Sequence, residues 1–88
     1  MFVILVYDVN EKRVYKVHKV CSKYLTWIQN SVFEGEITEA QLRMLKDEIK
    51  EIIDEKEDSI IIYKFRTKAY YEREDIGIKK ARSDDIIF

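Results

Sequence analysis

The 88-residue sequence predicts an α+β domain with the element order strand, helix, strand, strand, helix, strand, and three observations carry that prediction. Two apolar, β-branched runs of strand length, Phe2 to Tyr7 and Ser59 to Phe65, stand near either end of the chain. Two stretches, Glu11 to Tyr24 and Glu39 to about Lys56, repeat apolar residues at helical spacing. Between them, Leu25 to Ile37 mixes Trp27, Ile28, Val32 and Phe33 with the turn-tolerant pair Asn30-Ser31, the pattern of two short strands paired as a hairpin.

The elements follow in order. The first strand is apolar on both faces, which marks a central, buried strand, and it stops at Asp8-Val9-Asn10, leaving Asp8 at its C-terminal end. In the first helix Val14, Val17, Cys21 and Tyr24 share one face, and Lys12, Lys16, Lys19 and Lys23 form a stripe on another. His18, on the same helix, reads as an ordinary surface or boundary residue. The second helix opens on a capping box: Thr38 and Gln41 can satisfy each other's orphan amides, and Ile37 with Leu42 has the spacing of a hydrophobic staple. Leu42, Leu45, Ile49, Ile52 and Ile53 then keep the helical period, which predicts a helix ending near Asp58. This order is the ferredoxin-like, split βαβ arrangement, with right-handed crossovers placing both helices on one face of an antiparallel sheet. The second face, rich in Ile, Val, Phe and Tyr, needs a cover, so the sequence predicts a homodimer with sheets packed face to face. The chain is read as a single domain, 1–88, with a core over about residues 1–65. The extension from about Tyr70 to Phe88 lies beyond the fold and is placed to add a strand to the partner's sheet edge.

Composition narrows function. Hydrophobic residues at 47% beside charged residues at 38% describe a globular chain, and no apolar run reaches the roughly 18 residues of a membrane span. Met1 to Val6 lacks the basic start and cleavage site of a signal peptide, which predicts a cytoplasmic protein. One cysteine and one histidine exclude an internal disulfide and make zinc and thiol chemistry poor candidates. With no proline and two glycines there is no glycine-rich phosphate loop. The net charge of −1 conceals segregation: residues 1–33 carry +3, residues 34–58 carry −6 and residues 59–82 carry +4. That distribution suits a basic face for a polyanion and an acidic back, or a set of solvated helix faces.

Val6-Tyr7-Asp8-Val9, the following Glu11-Lys12-Arg13, the run Trp27 to Glu36 containing Ser31-Val32-Phe33-Glu34-Gly35, and Asp58 to Tyr63 together resemble the CRISPR-associated endonuclease of spacer acquisition, the second universal CRISPR adaptation protein family. The likeness covers roughly residues 1–65. It implies a homodimer binding nucleic acid and a Mg²⁺ held where two Asp8 carboxylates meet across the two-fold axis, able to activate water against a phosphodiester. Asp8 is then the catalytic and metal residue; from the residues alone it reads more readily as a helix cap or an Asx-turn. Arg13 matches a basic position that can clamp phosphate in fork geometry, although Val14, Tyr15 and Lys16 stand where the family often carries a second arginine. Lys12, Lys16, Lys19 and Lys23 suit tracking of a duplex backbone. Tyr7 and Phe33 match aromatic positions of the family and Ser31 its small hydroxyl, with core packing and turn chemistry as the alternatives. The resemblance implies a companion CRISPR integrase, pre-spacer duplex DNA and single-stranded RNA as partners or substrates. Two other readings share its fold: a non-catalytic scaffold that bridges integrase dimers, and a toxin-type ribonuclease.

Overall fold

The computed structural model describes residues 1–80. Strand β1 (Phe2–Asp8) leads into helix α1 (Glu11–Tyr24); β2 (Thr26–Gln29) and β3 (Val32–Glu36) form the expected hairpin; helix α2 (Glu39–Lys50) precedes β4 (Ser59–Phe65) and a short 3₁₀ turn (Lys68–Tyr70). The strands lie in the order β2-β3-β1-β4, every neighbouring pair antiparallel, which is the ferredoxin-like topology. At the hairpin tip Asn30 adopts a φ of 42°, a left-handed conformation that asparagine tolerates, and its carbonyl accepts a 2.9 Å bond from the Trp27 indole.

Register fixes the two faces of the sheet. On one, Leu5 stands beside Phe33 and Ile62, with Val3 and Tyr7 in the same row. This face carries the core: Phe33, Leu5, Leu45, Val3, Val17 and Cys21 are fully buried, joined by Leu42 and Ile49 of α2. The other face pairs Ile4 with Glu34 and Tyr63, Val6 with Val32 and Ile61, and Asp8 with Ser59. Both helices cover the first face, and the second is open.

The capping box forms as the sequence predicts, with Gln41 N donating to Thr38 Oγ1 and Thr38 N donating to Gln41 Oε1, each at 3.0 Å. Two expectations change. Helix α2 stops at Lys50, not near Asp58, because Asp58 Oδ2 takes the Asp54 amide at 2.9 Å and the Asp58 and Glu57 amides turn back onto the Asp54 carbonyl. A side chain that offers an amide a local partner competes with the helix, so the apolar period outlasts the helix itself. The extension, in turn, does not leave the fold at Tyr70. Tyr71 sets its ring 4.4 Å from Phe2 and 5.8 Å from Phe65, its hydroxyl donates to Glu34, and Arg73 Nη1 reaches Glu34 Oε2 at 3.1 Å. The open-face aromatics Phe2 and Phe65 are covered from within the chain. The terminal patch Ile86-Ile87-Phe88 lies outside the described residues.

Phe33 occupies the centre of the core, between His18 and Tyr7. Phe33→Ala is expected to cost about 3–5 kcal/mol by cavity formation, whereas Met44→Ala on the solvent side of α2 should stay within about 0.5 kcal/mol. Urea unfolding at one fixed protein concentration measures both.

Candidate functional site

The site begins where β1 ends. Asp8 is exposed, and among the described residues its carboxylate makes no hydrogen bond or ion pair. Helix α1 is capped by Asn10, whose side chain accepts from Lys12 N at 3.1 Å, so the capping role open to Asp8 in the sequence belongs to its neighbour two residues on. A shallow hollow beside Asp8 is lined by Tyr7, Val9, Val14, Asn30 and Ser31, and Ser31 O receives the Tyr7 amide at 3.1 Å. The hairpin tip and the strand end thus come together, and Asn30 joins the site as a residue the sequence marked only as a turn former.

Tyr7 and Phe33 are buried, and their packing explains their identity. The Tyr7 hydroxyl and His18 Nδ1 hydrogen-bond at 3.2 Å, while the His18 ring meets Phe33 edge-on at 4.8 Å and Trp27 at 5.9 Å. His18 is therefore a buried residue, not the surface or boundary residue the helix pattern predicts. Burial lowers its pKa below the usual imidazole value and raises that of the Tyr7 hydroxyl, so both rest neutral. Cys21 is buried as well, its thiol pushed up to about 12 by desolvation, which keeps it inert.

The basic residues divide into two groups. Lys12, Lys16 and Lys19 are exposed on α1 and form no ion pair among the described residues; Lys19 Nζ sits 5.9 Å from the Tyr15 ring. Lys23 is held by Glu48 of α2, which also accepts from the Tyr24 hydroxyl. Accordingly the Glu48 pKa falls, chiefly through Lys23, and that of Lys23 rises through Glu48. The acidic block of the sequence is thus not the back of the molecule: α2 lies beside α1 in the same layer and neutralises one end of the lysine stripe.

Arg13 is also engaged. Its Nε and Nη2 donate to Asp58 Oδ2 at 2.7 Å and Oδ1 at 3.1 Å, and Glu57 Oε2 stands 3.7 Å from Nη2. The Arg13 guanidinium holds the Asp58 carboxyl well below the usual carboxylate range, helped by the Asn10 and Asp54 amides and opposed by burial. Asp58, which the sequence marks only as the end of the second helix and the start of the run Asp58 to Tyr63, is the partner that reasoning from spacing missed.

As for metal, no three His, Cys, Asp or Glu side chains gather among the described residues. A single chain offers Mg²⁺ one carboxylate, Asp8, with the neutral oxygens of Asn30 and Ser31 nearby. Hard oxygen donors of this kind fit Mg²⁺ in character, but one carboxylate is a small set, and further donors would have to come from outside the described residues.

These features meet a known pattern. The family described as "CRISPR associated protein Cas2" matches residues 1–73. The chain belongs to the Cas2 family. A CRISPR-associated endoribonuclease Cas2 of Dictyoglomus turgidum is 56% identical over 87 residues, covering 99% of this chain and all of that one. Its counterpart in Methanocaldococcus jannaschii is 53% identical over 99% of this chain and 76% of its own length. A Cas2 crystal structure superposes with a TM-score of 0.84 at 47% identity, covering 99% of this chain and 98% of the other. Streptococcus pyogenes Cas2, crystallised at pH 6.5, gives 0.72 at 37% identity over 85% of this chain and all of that one. None of these matches favours the toxin-type reading.

Burial of the His18 imidazole is expected to make this fold acid-sensitive. Because the folded pKa of His18 is depressed, the unfolded chain takes up the proton first as pH falls through about 6.5. That contribution to stability is complete above this value and declines below it until the folded imidazole also protonates. Thermal melting at pH 7.5 and 5.0 should show a lower Tm at the acid end, and His18→Gln should reduce the difference.

Proposed function

We propose that the chain acts in CRISPR adaptation as a homodimeric scaffold, holding duplex pre-spacer DNA on the α1 lysines beside a companion integrase. The observation that carries this reading is the separation of two surfaces. Lys12, Lys16 and Lys19 project from the helix layer, whereas Asp8 belongs to the row of the open sheet face. A duplex tracked by the lysines needs no contact with Asp8, and unpaired lysines position a phosphate backbone without reading sequence. The open face supplies the dimer: Ile61 and Tyr63 are 48% and 53% exposed, and they flank Ile4 and Val6. Apolar residues in such a row favour a self-complementary, two-fold contact.

A second reading is favoured by the Asp8 carboxylate at the rim of that face, unpaired among the described residues, and by the endoribonuclease name of the relatives. Two-fold pairing would bring a second Asp8 to a shared Mg²⁺, with water activated for attack on RNA or DNA phosphodiesters. One carboxylate per chain fits this only in the dimer.

Three measurements separate these ideas. Ile61→Glu combined with Tyr63→Glu should convert a dimer to a monomer in analytical ultracentrifugation. Replacing Lys12, Lys16 and Lys19 by Ala should weaken duplex binding and reduce the slope of log K against log salt by about 2 to 3. Asp8→Asn should leave duplex affinity within twofold and spacer acquisition intact; loss of acquisition together with loss of Mg²⁺-dependent cleavage would replace the scaffold by the nuclease.

A further inference from the structure

We propose that Asp58 is the positioning residue of the Asp8 site, and that Arg13 serves it as a structural clamp and not as a phosphate contact. The inference rests, for its functional consequence, on the reading of Asp8 as a metal ligand in the dimer. Its geometry stands independently.

The Asp58 side chain is completely buried, and four hydrogen bonds converge on it. Oδ1 accepts from Asn10 N at 2.9 Å and from Arg13 Nη2 at 3.1 Å, while Oδ2 accepts from Arg13 Nε at 2.7 Å and from Asp54 N at 2.9 Å. An ionised carboxylate has about four lone-pair sites, so this one is saturated and has none left for a metal or a proton. Its bonds reach three separate pieces of chain: the turn after β1, the first turn of α1 and the turn before β4. Asp8 lies between them. Asn10 follows it by two residues, and Ser59, the neighbour of Asp58, is its register partner across the sheet. One carboxylate therefore fixes the backbone on both sides of Asp8. Glu57 extends the clamp, accepting from Asn10 Nδ2 at 3.5 Å.

Arg13 is committed by the same geometry. It is only 16% exposed, and its Nε and one terminal nitrogen already form the two-point fork that a phosphate would require. A phosphate could take the guanidinium only by leaving Asp58 buried and unpaired, an arrangement that costs more than an exposed contact returns. The free lysines on the same helix carry no such cost.

The test uses the full chain and its Arg13→Gln, Asp58→Asn and double variants, with Lys12→Gln as the phosphate control. In duplex binding across a salt series, Lys12→Gln should lower the log–log slope by about 0.9, and Arg13→Gln should leave it unchanged. A slope lowered as much by Arg13→Gln as by Lys12→Gln would overturn the clamp. Amide hydrogen exchange at Asn10 should accelerate at least tenfold in Asp58→Asn and in Arg13→Gln, and the double variant should add little to either; protection at Asn10 retained in both single variants would overturn the positioning role. Binding of Mn²⁺ alone, followed by electron paramagnetic resonance, supplies the readout that lost stability by itself does not move. Asp58→Asn should weaken it at least tenfold, whereas a Leu45→Ala variant of comparable Tm loss should bind as the unaltered chain does. Equal Mn²⁺ binding by the unaltered chain and Asp8→Asn would remove the metal reading of Asp8, and the exchange and salt measurements would then decide the clamp by themselves.

Discussion

Everything in this molecule depends on β1 being apolar on both faces. Its odd-numbered residues Val3, Leu5 and Tyr7 are buried against the helices, and its even-numbered residues Phe2, Ile4 and Val6 line the open face between β3 and β4. A strand hydrogen-bonded on both edges has no freedom to slip, because a shift of one residue would exchange those two sets and bury Asp8. The position of Asp8 at the rim of the open face is a consequence of this register. So is the burial of Tyr7, which its alternation commits to the helix side.

The polar interactions refine what that strand establishes. Asp58 and Arg13 join the two loops beside the end of β1, and Glu48 joins the C-terminal ends of α1 and α2 through Lys23 and Tyr24. Each of these ties consumes a charge that composition alone would count as available for a ligand. The basic surface of α1 is consequently narrower than its lysine count suggests and is centred on Lys12, Lys16 and Lys19. On the open face, Glu34 performs the corresponding task by fastening Tyr71 over the Phe2 and Phe65 rings and pairing with Arg73.

Interactions that are local in sequence were legible in it. The capping box at Thr38 and Gln41, the two-sided strand and the Asn30-Ser31 turn depend on residues a few positions apart, and each formed where the pattern placed it. Long-range polar pairing was not legible. Arg13 and Asp58 are 45 residues apart, and Lys23 and Glu48 are 25 apart; periodicity carries no information about which carboxylate a given cation will meet. The end of α2 departs from the pattern for a different reason: Asp58 stops it through a side-chain bond to an amide only four residues back, while the apolar period continues. The helix pattern leaves His18 at the surface or boundary because its burial depends on Trp27 and Phe33, which reach it from the hairpin and not from its own helix.

The same distinction bears on chemistry. A catalytic centre assembled within one chain would need several functional groups drawn to one place, and among the described residues the polar groups that do converge are saturated by one another. Asp58 has no vacant acceptor site, and Cys21 and His18 are held neutral in the core. Asp8 is the exception, exposed at a sheet rim beside Asn30, Ser31 and Ser59 and without an ion pair among the described residues. On the reading of Asp8 as a metal ligand, a cation would offset the repulsion between two such carboxylates brought together in a dimer. The first turn of α1 is where the chain passes from that rim to the helix side: Lys12 forms no ion pair among the described residues, whereas Arg13 beside it is taken by Asp58.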